Sequence, residues 1–259
     1  MPIYRFGDML VDPQKYPWGY GLWTPANIQT SLWLDAAIGV TLDSDNNVSE
    51  WSDKSGNNRH ATQETAGRRP WHITKELNGK PVVRFNRDDN HAMIGSFIVS
   101  SQPTMLFIVG SNNSISSGGA NESQRMWFRS GNQSIATYHD SPNDIFIWGG
   151  SAALQSGVFG VISHSILSAC FDGNDSCIKI NAVKEVAGNP GSGSTEDSYS
   201  IGHHAGVDAR FLDGDIAEVL FFTTMPSSYD VLKIEGYLAH KWGLTGNLPS
   251  GHPYKDSAP

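Results

Sequence analysis

Only two of the 259 residues are cysteines, so no disulfide framework holds this chain together. Basic residues are also scarce. Eighteen Lys and Arg stand against 26 Asp and Glu, a formal net charge of −8, and no Lys/Arg cluster stands out. The electrostatic footprint of a nucleic-acid binder is therefore missing, and no nucleic-acid partner is expected. Long apolar runs are absent too. The longest, Met105 to Val109 and Val219 to Phe222, suit buried strands and fall well short of the roughly 18 residues of a membrane span. No membrane insertion is expected. The motifs that announce common chemistries are likewise missing: there is no Gly-x-Ser-x-Gly elbow, P-loop or His-Glu-x-x-His. His203-His204 with Asp208 lacks zinc spacing and reads as a pair of hydrogen-bonding loop histidines.

What is present divides unevenly. Residues 1–30 hold Pro2, Pro13, Pro17 and Pro25, with Tyr4, Phe6, Tyr16, Trp18, Tyr20 and Trp23 between them. Proline breaks periodic structure, yet disordered tails are poor in aromatics. This stretch reads as an extended arm packed on its own domain or on a neighbouring subunit. From 31 to 223, short alternating segments lie between turn clusters, the pattern of a β-sandwich or jelly roll. One helix is expected at 227–243. Ser227 precedes Asp230 at capping spacing, Val231, Ile234, Leu238 and Trp242 form an apolar stripe, and Gly243 suits a C-terminal cap. The chain thus reads as an arm, 1–30, and one all-β domain, 31–259, that includes the helix.

Two sets of segments carry a family likeness. The first contains Ser31-Leu-Trp-Leu-Asp-Ala-Ala37, Val48-Ser-Glu-Trp-Ser-Asp-Lys-Ser-Gly-Asn-Asn-Arg-His-Ala-Thr62 and Leu77-Asn-Gly-Lys-Pro-Val-Val-Arg-Phe85. The second contains Leu212-Asp-Gly-Asp-Ile-Ala-Glu-Val-Leu-Phe-Phe222, Glu235-Gly-Tyr-Leu-Ala-His-Lys-Trp-Gly243 and Leu248-Pro-Ser-Gly-His-Pro-Tyr-Lys255. Together they resemble the laminin-G-like branch of the concanavalin A-like lectin/glucanase domains found in bacterial surface proteins and phage particles. The resemblance implies a concanavalin A-like jelly-roll sandwich that is usually a binding or structural module, and the chain is expected not to be an enzyme. Met1 to Asp8 shows no basic region followed by an apolar segment, so no secretory leader is read there. Either a leader has been removed or the protein leaves its cell by lysis; Met1 followed by the small Pro2 favours lysis. The expectation is a structural or adhesion protein on a bacteriophage virion, as capsid decoration or a tail or fibre component. Its partners would be other virion proteins, or copies of itself, held through the aromatic arm, and cell-surface glycans. The alternatives are an extracellular bacterial carbohydrate-binding module and, from a different class, a jelly-roll glycoside hydrolase.

The residues themselves offer four constellations. Asp213, Asp215 and Glu218 resemble the Glu-x-Asp-x-x-Glu strand of jelly-roll glucanases, but strand alternation is expected to turn Glu218 away from the other two. Calcium is a candidate cofactor, because many laminin-G-like domains bind it. The oxygen-rich loops with Asp43 and Asp45, and with Asp88 and Asp89, are its candidate ligands, although the spacing departs from a calcium loop. Trp127, Tyr138 and Trp148, with Arg125 and Arg129, are candidate glycan-binding residues on a polar strand face; the competing reading, favoured because large aromatics are mostly buried, is that these aromatics fill a second apolar layer beneath loops. Finally, Cys170 and Cys177 flank a predicted turn at Gly173-Asn174. They are expected to stand opposite each other, either as a disulfide or as two thiols.

Overall fold

The computed structural model describes residues 5–6, 9–10, 23–113, 124–138, 144–159, 162–204 and 210–259. In chain order the strands are β1 (Arg5–Phe6), β2 (Met9–Leu10), β3 (Leu32–Asp35), β4 (Val40–Leu42), β5 (Val48–Trp51), β6 (Ala61–Thr62), β7 (Trp71–Leu77), β8 (Lys80–Phe85), β9 (Met93–Ser96) and β10 (Thr104–Asn112). They continue with β11 (Gln124–Ser130), β12 (Gln133–Tyr138), β13 (Asp144–Trp148), β14 (Ala153–Phe159), β15 (Ser165–Phe171), β16 (Ser176–Ile180), β17 (Val183–Gly188), β18 (Ser198–Ile201) and β19 (Gly214–Phe222). The helix α1 (Ser228–Trp242) follows.

β1 and β2 pair as a small ribbon. The other strands form two antiparallel sheets. One runs β17-β16-β15-β10-β19-β8-β7, with β3 also bonded to β19; the other runs β14-β13-β12-β11-β18-β9-β6-β5-β4. This is the all-β sandwich with one helix expected from the sequence. The main core lies between the sheets, where Leu106, Ile108, Val219 and Phe221 of one meet Trp51, Phe128, Ile135 and Ile147 of the other. β10 and β19 are buried on both faces because their outward residues, among them Phe107, Leu220 and Phe222, pack beneath α1.

The helix forms where its capping chemistry predicts. Ser227 Oγ accepts from the Asp230 N–H at 3.1 Å, and Gly243, at φ 70°, ends the helix in the left-handed region. Asn78 Nδ2 donates to the Trp242 carbonyl at 2.7 Å, satisfying a group the helix end leaves unpaired. Val231, Ile234, Leu238 and Trp242 bury their stripe against the sheet.

A buried charge cluster pins the helix there. Glu218 receives four donors: Trp33 Nε1 at 2.7 Å and Tyr237 OH at 3.0 Å on Oε1, Lys241 Nζ at 2.7 Å and Trp242 Nε1 at 2.6 Å on Oε2. Lys241 also donates to Asp35 Oδ2 at 2.6 Å, and Asp35 stands directly across from Glu218 on β3. Burial pushes the Glu218 carboxyl above its ordinary value, with the Lys241 charge opposing. A second pin joins Glu235 to Lys179 at 3.0 Å and to His252 at 3.4 Å. Three of the segments that carry the family likeness, 31–37, 212–222 and 235–243, therefore meet in one buried cluster.

The 53–60 loop is structural, as its turn formers imply. Asp53 accepts from the N–H groups of Trp33, Ser55 and Arg59, and Arg59 Nη1 donates to the Ser31 carbonyl at 2.6 Å.

Two β-bulges correct the simple alternation. In β19, Ala217 is extra: Val109 pairs with Glu218 and Gly110 with Ile216. The extra residue resets parity, so Asp215 and Glu218 point to the same, helix-covered side, contrary to expectation. Both are sealed from solvent and each is met by a cation. Arg84, opposite Asp215 on β8, forms a two-pronged pair with it at 2.7 and 2.8 Å. In β11, Trp127 is extra, because Met126 pairs with Ala136 and Phe128 with Ile135.

Candidate functional site

The second bulge shapes the open face of the other sheet. Since Trp127 takes no partner on β12, both Trp127 and Phe128 turn inward, and Met126 and Arg129 turn outward. Two cross-strand rows result. Met126, Ala136 and Phe146 form a small apolar floor, and Arg129, Ser134 and Trp148 form the next row across β11, β12 and β13. His204 and Arg210, from the connection between β18 and β19, complete a pocket of about 360 Å³ over these rows.

The pocket combines an apolar floor with the two cationic side chains Arg129 and Arg210 and the indole of Trp148. Trp148 is 38% exposed. Arg129 donates to the imidazole of His204. Burial pulls the Arg129 guanidinium below its ordinary value; Glu196 opposes this and the Arg210 charge adds to it. The last cause means that two guanidiniums bear on each other at this site. Arg210 has φ 72° and is fixed by its carbonyl, which accepts from the Met126 N–H at 3.1 Å. Its Nε is buried without a hydrogen-bond partner. An aromatic plate beside paired guanidiniums suits a ring-shaped ligand carrying an anionic group.

Close by in the chain, a second opening of about 610 Å³ lies where the segment after β17 folds onto the β13–β14 connection. Pro190 O accepts from the N–H groups of Gly149, Ser151 and Ala152, and Gly193 N–H donates to Gly149 O at 2.6 Å. A Cβ on Gly193 would come within 2.4 Å of the Asn132 Cβ, so the close approach requires glycine there.

The expected glycan-binding set is divided by this geometry. Arg129 and Trp148 line the pocket. Trp127 does not: it is fully buried and its Nε1 donates to Thr137 Oγ1 at 2.8 Å. Arg125, opposite Thr137, is buried on the same inward side. The bulge is the reason for both corrections. Tyr138 ends β12, and its side chain lies outside the described residues. Met126, Ser134, Phe146, His204 and Arg210 were not expected as site residues. Strand alternation puts Phe146 on the face of Trp148, and Ser134 joins them as the cross-strand partner of Trp148, but nothing local marks the two loop residues.

Of the candidate calcium ligands, Asp43, Asp88 and Asp89 meet cationic partners or a histidine of the chain, and Asp45 is exposed. Asp43 Oδ1 accepts from the N–H groups of Asp45 and Asn47, and its Oδ2 meets Arg69 at 3.1 Å. The Asn47 backbone bond leads in holding the Asp43 carboxyl below its ordinary value. Asp88 pairs with Arg87 at 2.8 Å, and Asp89 lies 3.9 Å from His91. Among the described residues no group of three or more His, Cys, Asp or Glu is placed to hold a metal ion. Cys170 and Cys177 stand opposite each other on β15 and β16, as two free thiols. Of the arm, Tyr4, Tyr16, Trp18, Tyr20 and the Phe6 side chain lie outside the described residues. Trp23 packs edge-on against Tyr237 of the helix, centroids 6.2 Å apart.

The chain is thus an antiparallel β-sandwich with a helix on one outer face. No protein-family model and no curated protein sequence matches it. Solved structures do. Trypanosoma rangeli sialidase in complex with 2,3-difluorosialic acid matches with TM-score 0.50 and 10% identity, over 82% of this chain and 33% of that one. The botulinum neurotoxin serotype D ligand binding domain in complex with N-acetylneuraminic acid matches with TM-score 0.50 and 9% identity, over 78% and 49%. An arabinofuranosidase complexed with arabinofuranosyl-alpha-1,2-xylobiose matches with TM-score 0.49 and 14% identity, over 73% and 50%. The chain spans a third to a half of these proteins. The expectation that a chain of this kind is not an enzyme is overturned: a sialidase stands among the proteins that match it. At such identities the likeness shows the fold and assigns no activity.

Proposed function

We propose that this chain is a glycan-binding β-sandwich module whose open-face pocket takes a sugar bearing a carboxylate. The observation that carries this reading is the pairing of Arg129 and Arg210 beside the exposed Trp148 in one pocket. A carboxylate accepts hydrogen bonds from a guanidinium fork, and a sugar ring stacks its apolar face on indole. Arg210 Nε, buried and unpartnered, gains from such a ligand. Two proteins that share the fold are named with sialic-acid-type ligands, which supports the choice of an acidic sugar as the probe. Within the sandwich class we assign the laminin-G-like branch, because Trp33, Asp35, Glu218, Tyr237, Lys241 and Trp242 of the family-like segments converge on one buried cluster. None of the matching proteins named above is a virion component, and the virion setting has no support from them.

The test is a calorimetric titration of the full chain with N-acetylneuraminic acid and, separately, with uncharged N-acetylglucosamine. The acidic sugar is expected to bind, more weakly as salt rises, and Arg210→Ala is expected to cost about tenfold or more in affinity. Equal binding of both sugars, or an Arg210→Ala variant that binds like the parent, would refute the reading.

A further inference from the structure

The two cysteines occupy a place in the fold that the sugar pocket does not use. β15 and β16 are joined by a single turn of 3-10 helix, Gly173–Asp175, and Cys170 is the direct partner of Cys177 across the ladder. Directly opposed residues of antiparallel strands have Cα atoms about 4.5 or 5.5 Å apart, depending on the pair type. Both values lie within the roughly 4.4–6.8 Å that a disulfide spans, so no backbone movement is needed to join them. Leu167, Ala169, Phe171, Ile178 and Ile180 face the inter-sheet core, which puts both thiols on the outer side of the sheet. Both are half-buried and reachable from solvent.

The surroundings distinguish the two sulfurs. A hydrogen bond from the Cys170 thiol, followed in size by opposing burial and then by the charges of Lys179 and Lys184, lowers the Cys177 pKa to about 7. The same hydrogen bond, with burial, raises that of Cys170. A partly exposed thiol among lysines with a second thiol at hand has the features of a reactive pair.

We infer that Cys170 and Cys177 form a thiol–disulfide exchange site, in which Cys177 attacks a low-molecular-weight disulfide and Cys170 resolves the adduct into a cross-strand disulfide. The Cys177 thiolate attacks one sulfur of RSSR and expels RS⁻, leaving a mixed disulfide. Cys170 then loses its proton, attacks the Cys177 sulfur and expels the second RS⁻. The protein dithiol is oxidised by two electrons, RSSR is reduced, and the two protons leave on two RSH. The site is a modification site on the helix-side sheet, and it stands or falls independently of the pocket.

The test treats the reduced full chain with oxidised glutathione at pH 7, quenches with acid and alkylating agent, and reads intact mass and peptide maps. The wild type is expected to release two reduced glutathiones per chain and to end as an internal disulfide with no lasting adduct. Cys170→Ser is expected to accumulate one glutathione on residue 177, and Cys177→Ser to react several-fold more slowly. Early quenching of the wild type, which needs no variant to fold, should find the first adduct on Cys177. Lasting adducts on both cysteines, disulfide-linked dimers alone, no reaction, or a first adduct on Cys170 would each overturn the inference.

Discussion

The two outer faces of the sandwich use the same side-chain types to opposite ends. On the helix-covered face, Lys241 and the indoles of Trp33 and Trp242 are all bonded to Glu218 or Asp35, and solvent is excluded. On the open face, Arg129, Arg210 and Trp148 surround a cavity. A cation and an aromatic ring therefore say little by themselves about binding. What separates the faces is enclosure. On one, the cation and its carboxylates are sealed beneath the helix as a structural pin. On the other, Arg129 feels the Glu196 charge, yet it and Arg210 still line an opening beside the exposed Trp148.

The largest effect should come from breaking the pin. Lys241→Met leaves Asp35 and Glu218 buried across from each other without their cation, and should cost about 3–5 kcal/mol in urea unfolding. A loss below about 1 kcal/mol would mean that the cluster is not the anchor of the helix.

Asp215→Asn weakens the paired contact with Arg84 at the margin of the same face and should cost about 1.5–3 kcal/mol at pH 7. Burial pushes the Asp215 carboxyl up, but the hydrogen bonds and charges of Arg84 and His164 outweigh it and leave the pKa lowered. A lowered carboxylate stabilises the fold fully above its unfolded value of about 3.9 and loses that contribution as pH falls through the folded one. Wild type and variant should therefore converge below about pH 4 in acid unfolding. A gap that stays constant down to pH 2 would show that the ionised pair is not its source.

On the open face, Trp148→Ala should leave stability within about 0.5 kcal/mol and weaken acidic-sugar binding by roughly two- to tenfold. The opposite split, lost stability with binding intact, would make Trp148 a packing residue and erase the contrast. The smallest effect is expected at Asp45, exposed in its turn. Asp45→Ala should shift Tm negligibly, with or without added calcium. A calcium-dependent rise in Tm that the variant abolishes would return this loop to the list of binding sites.

Much of the sandwich could be read from the chain, since the strands that form its core alternate apolar and polar residues or run apolar throughout. The helix was legible down to its caps, Ser227 and Gly243, because capping depends on local chemistry. The opposition of Cys170 and Cys177 was legible because a tight turn sets register. The strands β4, β7, β14 and β17 were not, although each pairs with a strand next to it in sequence, because their mostly half-buried or exposed residues carry little apolar alternation; β9 was not, because its partners β6 and β18 are distant in sequence. The bulges at Trp127 and Ala217 were invisible because an extra residue exists only relative to its partner strand. Hence Trp127 was placed on the wrong face and Glu218 was separated from Asp215. Of the candidate pocket, Arg129 and Trp148 were expected, and alternation puts Phe146 on the Trp148 face. His204 and Arg210 arrive from a loop that no periodicity governs.

The bulges carry one more implication. Gly110 lies at the irregularity between β10 and β19, and a Cβ there would sit 2.7 Å from the Trp127 ring, the extra residue of the facing sheet. The insertion in one layer is seated on the missing side chain of the other. Neither position is free to drift alone. Bulk at 110 would also meet the Asp215 carbonyl oxygen at 2.4 Å, so trimming 127 alone would not make room, and a designer who wished to fill position 110 would have to rebuild both layers in a single step.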